Sequence, residues 1–450
     1  MTFTGVLTSQ FLIQASELFF RAFNTNIIKN NHKFLKTRKS RETATMSESE
    51  QYSRNTLMDF IDYRPLDIEI CDVTLRDGEQ TPGVVFSKEQ KLAVASELDS
   101  MGIEVIEAGF PVVSADEKEI VKEIANQGFN SRICCLSRAV KGDVDAALEC
   151  DVDIVSIFIA MSDMHLKYKY HRSLEDMLGC AKEAIEYATD HGLKVRFAAE
   201  DASRTPVERL KQAFKEVENE YKVQYVSLAD TVGILNPTTT NYLVSEIFKS
   251  VNTSICIHCH DDLGMATANT LVAAEAGAKQ LHTTVNAIGE RAGNASLEEV
   301  LVALRVQYGI ERYDTTKLNS LSGMVSEYSG ITPSVNKAVV GKNAFTHESG
   351  IHVAAILEEP RTYELFLPEM VGGKRNLVVG KHTGKKALKG IINSIGFCLE
   401  REELCALIEK VKVCTEEKHK SISRDQLERL ITQVKQEQKS SGSEKEKFSI

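Results

Sequence analysis

The 450 residues sum to 50.0 kDa, with 42% hydrophobic and 26% charged side chains and a formal charge of −10. That is the balance of an ordinary globular protein, and the acidic total gives no general pull toward nucleic acid or an anionic membrane. No apolar run approaches the roughly 20 residues of a membrane-spanning helix.

The first 45 residues set Arg21, Lys29, Lys33, Lys36, Arg38, Lys39 and Arg41 against only Glu17 and Glu42, around an apolar stretch from Phe11 to Phe23. This composition suits an organellar transit peptide. The preferred reading is upstream sequence ahead of a true start at Met46, which sets residues 1–66 apart as an N-terminal extension, disordered or mis-started. A cytoplasmic location is then expected, and ten cysteines without a repeated paired spacing suit reduced thiols.

From residue 67 to 308, short β-branched apolar runs alternate with amphipathic helical stretches, the pattern of βα units around a parallel sheet. Eight strands are expected, at 67–73, 105–110, 131–137, 154–160, 194–200, 225–230, 254–260 and 280–287. Eight units predict an α/β fold, a TIM (β/α)8 barrel over residues 67–309, followed by small, mainly helical C-terminal subdomains. Helix signals fall between the strands. Ser87, for example, caps a helix to Ser100, with Gln90 completing a capping box.

Such barrels keep their active sites at the carboxyl ends of the strands. There the chain places Arg76 to Gln80, Glu107, Ser137-Arg138, Ser162 with His165, Glu200-Asp201, Asp230-Thr231, His258-Cys259-His260 and Asn286 to Arg291. The seventh strand is the most informative. Side chains two apart share a face, so His258 and His260 look into one cavity, whereas Cys256 and Cys259, three apart, point oppositely and read as incidental. The histidines are either metal ligands or a hydrogen-bonded core pair.

With Asp77, the two histidines form a ligand set for a divalent Zn, Mn or Mg ion that leaves positions open for the carboxylate and keto oxygens of a 2-oxo acid. Arg76 then places a guanidinium where charge develops on the keto oxygen, or forms a salt bridge to Glu107 or Glu200. Those two carboxylates orient Arg76 and the ligands or move protons. Asn294 supplies an amide oxygen to the metal, or is a turn residue after Gly293.

Beyond residue 310 the alternation stops. A subdomain at 310–365 holds Thr346-His347-Glu348-Ser349-Gly350-Ile351-His352, a helical subdomain is expected at 366–434, and the polar tail at 435–450 is expected to be disordered. Gly341-Lys342 and the turn from Gly380 to Lys385 are basic and glycine-containing, able to face phosphates. Neither matches a P-loop, and a solvated loop is the simpler reading of each.

Taken together, Asp72 to Gly83, His258 to Gly264, Asn286 to Asn294 and His347 to His352 resemble the signatures of the homocitrate, 2-isopropylmalate and citramalate synthases. The resemblance covers about Asp67 to Val434. It implies metal-dependent Claisen-type condensation of acetyl-CoA with a 2-oxo acid, with Asp77, His258 and His260 as metal ligands, Asn294 nearby and Arg76 as oxyanion stabiliser. His352 corresponds to the base for the acetyl methyl group, or its partner, assisted by Tyr363. Gln80, Glu107, Glu200 and Thr231 match positions around the 2-oxo acid. The resemblance also implies a homodimer in which the His352 segment reaches into the other subunit's barrel, with no nucleic-acid or membrane partner.

Glu107-Ala108-Gly109-Phe110-Pro111 is more similar to homocitrate and isopropylmalate synthases than to citramalate synthases. After the subdomains there is no room for the ~100-residue regulatory domain of a feedback-controlled branched-chain enzyme. Phe158 to Ser162, His165 to Lys169 and Glu327 to Ile331 resemble archaeal homocitrate synthases, which extend 2-oxoglutarate by way of (R)-homocitrate toward 2-oxosuberate for coenzyme B.

There are departures. Asp77 stands where the fungal lysine-pathway enzymes carry Glu, and Arg138-Ala139-Val140 where they carry a substrate-binding histidine. Arg138, His165 and Lys167 are therefore the candidate cations for a second carboxylate. Ala354 stands where many relatives have an acidic residue, which shifts base activation toward Glu348 or Tyr363. The rival expectations are (R)-citramalate or 2-isopropylmalate synthase, an acyl-CoA lyase or carboxyltransferase of the same superfamily, and a non-catalytic regulatory barrel.

Overall fold

Eight short runs of apolar and β-branched residues, each buried along most of its length, close into one ring. The computed structural model describes Leu57, residues 65–380 and residues 383–447, with side chains through residue 438 except that of Ser394. Strands β1 (Glu69–Asp72), β2 (Val105–Gly109), β3 (Arg132–Arg138), β4 (Ile154–Ala160), β5 (Lys194–Glu200), β6 (Tyr225–Asp230), β7 (Ser254–Cys259) and β8 (Gln280–Thr283) pair in parallel in chain order. The ring closes between β8 and β1, with Glu69 opposite Gln280 and Asp72 opposite Thr283. The expected TIM (β/α)8 barrel is therefore the observed one.

Helices α1 (Lys88–Ser100), α2 (Ala115–Ala125), α3 (Lys141–Glu149), α4 (Leu174–Asp190), α5 (Val207–Tyr221), α6 (Pro237–Phe248), α7 (Ala266–Ala276) and α8 (Leu297–Tyr308) form the outer layer. Ser87 caps α1, its side chain accepting from the Gln90 amide while Gln90 accepts in return. The last strand is shorter than its sequence suggests. At Thr284 the backbone amide turns to donate to the Ala295 carbonyl at 3.0 Å, and Asn286 and Ala287 follow with φ of +58°. Left-handed backbone cannot continue a strand.

Inside the ring, Cys71, Val73, Val105, Cys134, Ile154, Tyr225 and Cys256 make an apolar plug. A larger cluster joins the outward strand faces to the helices. All ten cysteines are free; six are buried, and Cys398 alone is exposed.

Past the barrel come α9 (Leu318–Ser329), the short parallel pair β9 (Thr346–His347) and β10 (Asn376–Leu377), and α10 (Gly350–Ile356) between them. Helices α11 (Lys385–Ser394), α12 (Arg401–Lys418) and α13 (Arg424–Lys447) complete the chain. Val353 of α10 shares a second core with Leu388, Leu407 and Ile431, so packing crosses the boundary expected at residue 365. Helix α13 continues past Val434, where the polar composition had suggested a disordered tail; Gln, Glu and Lys are good helix formers even when no core holds them. The expected N-terminal extension lies, but for Leu57, Pro65 and Leu66, outside the described residues. Among the described residues no helix is long and apolar enough to cross a membrane.

Candidate active site

At the end of β1 the chain turns sharply, with the amides of Arg76 and Asp77 donating to the Val73 carbonyl at 3.2 and 2.9 Å. The turn fits because residue 78 is glycine. A Cβ there would lie 3.0 Å from Cγ1 of Ile288. Two strands away around the ring, β7 carries His258, and His260 follows it in a bridge to Asn294.

These elements bring the predicted ligands together. Oδ2 of Asp77 lies 3.0 Å from Nε2 of His258 and 3.7 Å from Nε2 of His260, and the two Nε2 atoms are 3.3 Å apart. The ligand atoms all fall within 4.8 Å of one another and all three residues are buried, the one such grouping found among the described residues. Nδ1 of His260 faces the Gly293 carbonyl at 3.2 Å, which orients the ring and leaves Nε2 for a ligand. Asn294 donates through Nδ2 to the Ile288 carbonyl, while its buried Oδ1 has no hydrogen-bond partner. It reaches this position past Gly289, where a Cβ would stand 2.1 Å from Nδ2.

The electrostatics suit a cation. Burial would raise the Asp77 carboxyl, but the Arg76 guanidinium and the hydrogen bond from His258 outweigh it and hold the group well below the usual carboxylate range. Burial, aided by His258, pushes His260 down to about 4. An ionised carboxylate, a neutral imidazole and an orphaned amide oxygen match the donor set of a borderline divalent metal.

Arg76 is fixed from two sides. Its Nη1 is 3.3 Å from Oδ2 of Asp77, and its Nε donates to Glu107 on β2. Glu107 in turn accepts from Arg196, a side chain the sequence reading passed over. Arg196 is 1% exposed at the barrel centre, donating to Ser156 at 3.1 Å and to Gln280 at 2.8 Å, and meeting Nε2 of His282 at 2.8 Å. Burial favours the neutral acid, yet the two guanidiniums keep Glu107 below the usual range. A signal was present. Arg196, Ala198 and Glu200 share a face by strand periodicity, and Glu200 was already read as inward. An arginine two steps below it on a buried strand was the clue.

Around the rim the other candidates separate. Glu200 accepts from Tyr170 Oη at 3.2 Å, and His165 lies 3.6 Å from Glu200 and 3.8 Å from Asp201. Thr231 Oγ1 accepts from the Asp201 amide at 2.8 Å. Gln80 follows the Asp77 turn and is exposed. Lys167 lies over the Tyr168 ring, 4.9 Å from its centroid. Arg138 is drawn away from the ring axis. Its guanidinium pairs in bidentate fashion with Asp143 at 2.8 and 2.9 Å and is 60% exposed, because Asp143 opens α3 directly after β3.

His352 and Tyr363 lie beyond the barrel. Their rings stack with centroids 3.9 Å apart and planes at 24°, and both are exposed. Of the two groups suggested to activate His352, the ring contact is made by Tyr363, whereas Glu348 packs at Gly380. Lys381 and His382 of the second basic turn lie outside the described residues.

Comparison with known proteins matches residues 67–325 to the HMGL-like family model and residues 339–419 to the homocitrate synthase post-HMGL domain-like model. The chain is 99% identical over 405 residues to a homocitrate synthase AksA of Methanosarcina mazei, covering 90% of this chain and 100% of that protein. It is 92% identical over the same shares to the homocitrate synthase AksA of Methanosarcina acetivorans. Among solved structures, a hydroxymethylglutaryl-CoA lyase from Pseudomonas aeruginosa aligns with a TM-score of 0.54 at 21% identity, over 62% of this chain and 96% of that one. At that identity the likeness speaks to the fold alone.

Proposed function

The chain belongs to the homocitrate synthase AksA branch of the HMGL-like family, and from that premise we propose that it condenses acetyl-CoA with 2-oxoglutarate to give (R)-homocitrate and CoA. The observation that carries the reading is the buried Asp77, His258 and His260 triad with Arg76 held beside it. This pairing suits a 2-oxo acid better than a neutral ketone. The reading places the enzyme on a route to 2-oxosuberate and coenzyme B, in the cytoplasm.

Asp77, His258, His260 and the Asn294 amide oxygen would hold the divalent metal, which when bound polarises the keto group as a Lewis acid. His352, with Tyr363 against it, takes a proton from the acetyl methyl group. The resulting carbanion equivalent attacks the keto carbon. Arg76, already oriented by Glu107, stabilises the negative charge that develops on the former keto oxygen without reorganising. Glu200, His165 and Thr231 line the rim where the rest of the acid is held. Water then cleaves the thioester and CoA leaves as the free thiol.

We further infer a homodimer. Large apolar side chains are exposed in loops at the strand ends, including Val85, Val113, Met164 and Ile234, and on the His352 segment, including Ile351 and Leu365. Two such surfaces on one soluble chain fit mutual covering, which would carry His352 of one copy to the triad of another.

The deciding assay measures CoA thiol release with 2-oxoglutarate, pyruvate and 2-oxoisovalerate on metal-loaded protein. The reading expects the highest kcat/KM with 2-oxoglutarate, and a wide margin for pyruvate would overturn it. A lyase would instead cleave a hydroxyacyl-CoA without releasing the thiol.

A further inference from the structure

A charged group sits directly beside Tyr363 and has no role in the chemistry above. Glu364 is 1% exposed, yet its carboxylate is fully paired. Nε of Arg375 donates to Oε1 at 2.7 Å and Nη2 to Oε2 at 2.6 Å, while Nε2 of His347 lies 3.3 Å from Oε1. Bidentate pairing fixes a guanidinium and a carboxylate in one plane and tolerates little drift.

The three partners come from three separate segments. His347 ends β9, Arg375 directly precedes β10, and the two strands pair in parallel with Thr346 opposite Asn376. Phe345 and Phe366, both buried, add an edge-to-face contact with centroids 5.5 Å apart between the His347 segment and the Glu364 segment. One of these segments leads within five residues to His352, and the other contains Tyr363. The tight turn at Pro360–Thr362, with the amides of Tyr363 and Glu364 donating to the Pro360 carbonyl at 3.1 and 3.0 Å, leaves Tyr363 little independent freedom.

We propose that Glu364 is a positioning residue: clamped by Arg375 and His347, it holds Tyr363 against His352 so that the pair is assembled within its own subunit before it meets a barrel. This rests on the assignment of His352 and Tyr363 to proton abstraction. The clamp itself touches neither substrate nor metal. What it removes is the freedom of two exposed rings, which would otherwise have to find each other anew in every encounter. Arg375 is partly exposed, so removing the Glu364 charge leaves a guanidinium that can rehydrate, and the fold should survive the change.

The test uses Glu364→Gln and Arg375→Met in the full-length, metal-loaded protein. Both should lower kcat by about 100-fold, the scale of a misplaced catalytic group, while the calorimetric Kd for 2-oxoglutarate and the metal content stay at wild-type values. The double variant should lose no more than the worse single one, because the two changes break the same clamp. A second readout needs no activity. With 3-fluorotyrosine incorporated and the Tyr363 signal identified through Tyr363→Phe, both variants should shift that fluorine resonance toward its position in His352→Ala. An unmoved resonance with kcat within twofold of wild type overturns the proposal. So does a parallel loss of oxo-acid affinity or metal, which would mean general disruption. If wild-type protein released no CoA with any 2-oxo acid, the functional reading would fall, and the fluorine signal would still decide whether the clamp holds the pair.

Discussion

The two halves of the proposed site are built on opposite principles. In the barrel, Asp77, His258, His260, Glu107 and Arg196 are buried, and each is held by partners from other strands. Beyond the barrel, His352 and Tyr363 stand exposed, and what orders them lies beneath, in the Glu364 clamp. Charge held in a dry interior gives fixed geometry without any other subunit. An exposed pair can be ordered locally and still needs a second surface to become useful.

The largest effect should come from breaking the buried side. Glu107→Ala leaves Arg76 and Arg196 without their shared counter-charge, and losing one partner of a buried ion pair costs about 3–5 kcal/mol. Urea unfolding should show that loss, together with loss of condensation activity; a change under 1 kcal/mol would mean that water repairs the site. Removing metal with a chelator should abolish activity while leaving the barrel's circular dichroism intact, and Zn or Mn should restore it.

Next in size is His352→Ala. It should lower kcat by about 10²–10⁴, the range for a general base, with metal content and 2-oxoglutarate binding unchanged. Equal losses in both halves would erase the distinction drawn between them.

Acid titration resolves the groups of the buried half by pH window. Asp77 and Glu107 are held below their unfolded values of about 3.9 and 4.3, so their stabilisation is full above those values and is lost only as pH falls through the lower folded ones. His260 acts in the same direction but at higher pH in metal-free protein. Its folded value is about 4 against an unfolded ~6.5, so the unfolded chain takes up a proton first, and on the order of 3 kcal/mol should be lost between pH 6.5 and 4. His260→Gln should flatten that slope in a urea series. A slope unchanged by the substitution would place the titration elsewhere.

A smaller, concentration-dependent effect is expected from Ile351→Asp on the exposed segment. Sedimentation should show weakened dimers and activity that recovers at high protein concentration, while the barrel's melting stays put. The least effect belongs to Arg138→Ala. Its guanidinium is 60% exposed, and the buried Asp143 carboxylate keeps the Arg138 amide as a donor without it, so kcat/KM should hold within twofold; a tenfold loss would make Arg138 a substrate contact.

The barrel half was the more legible in sequence for the same reason that it is rigid. Strand periodicity alone faces His258 and His260 together, and the ends of β4, β5 and β6 fell where expected because apolar runs stop where burial stops. Arg196 was missed because a charged residue on a strand reads by default as an exposed one. The pairing of Arg138 with Asp143 went unseen for the converse reason, since its position at a strand end said nothing about a carboxylate five residues on. In the second half, Tyr363 came from the family resemblance, and Glu364 and Arg375 drew no notice. Their contact joins segments eleven residues apart through a fold with no simple period.

The distribution of thiols has a practical consequence. Burial pushes Cys71 up to about 12 and raises Cys134 and Cys256 well above the ordinary thiol value, and the guanidinium of Arg196 does not reverse it. Maleimide chemistry at neutral pH should therefore pass the barrel interior by and react first at the exposed Cys398, next to the core that α10 shares with the C-terminal helices, ahead of the partly buried Cys180, Cys405 and Cys414. A dye attached there, with only the partly buried Cys180, Cys405 and Cys414 replaced and the six buried thiols left in place, would watch the exposed half of the molecule move while the other half stays optically silent.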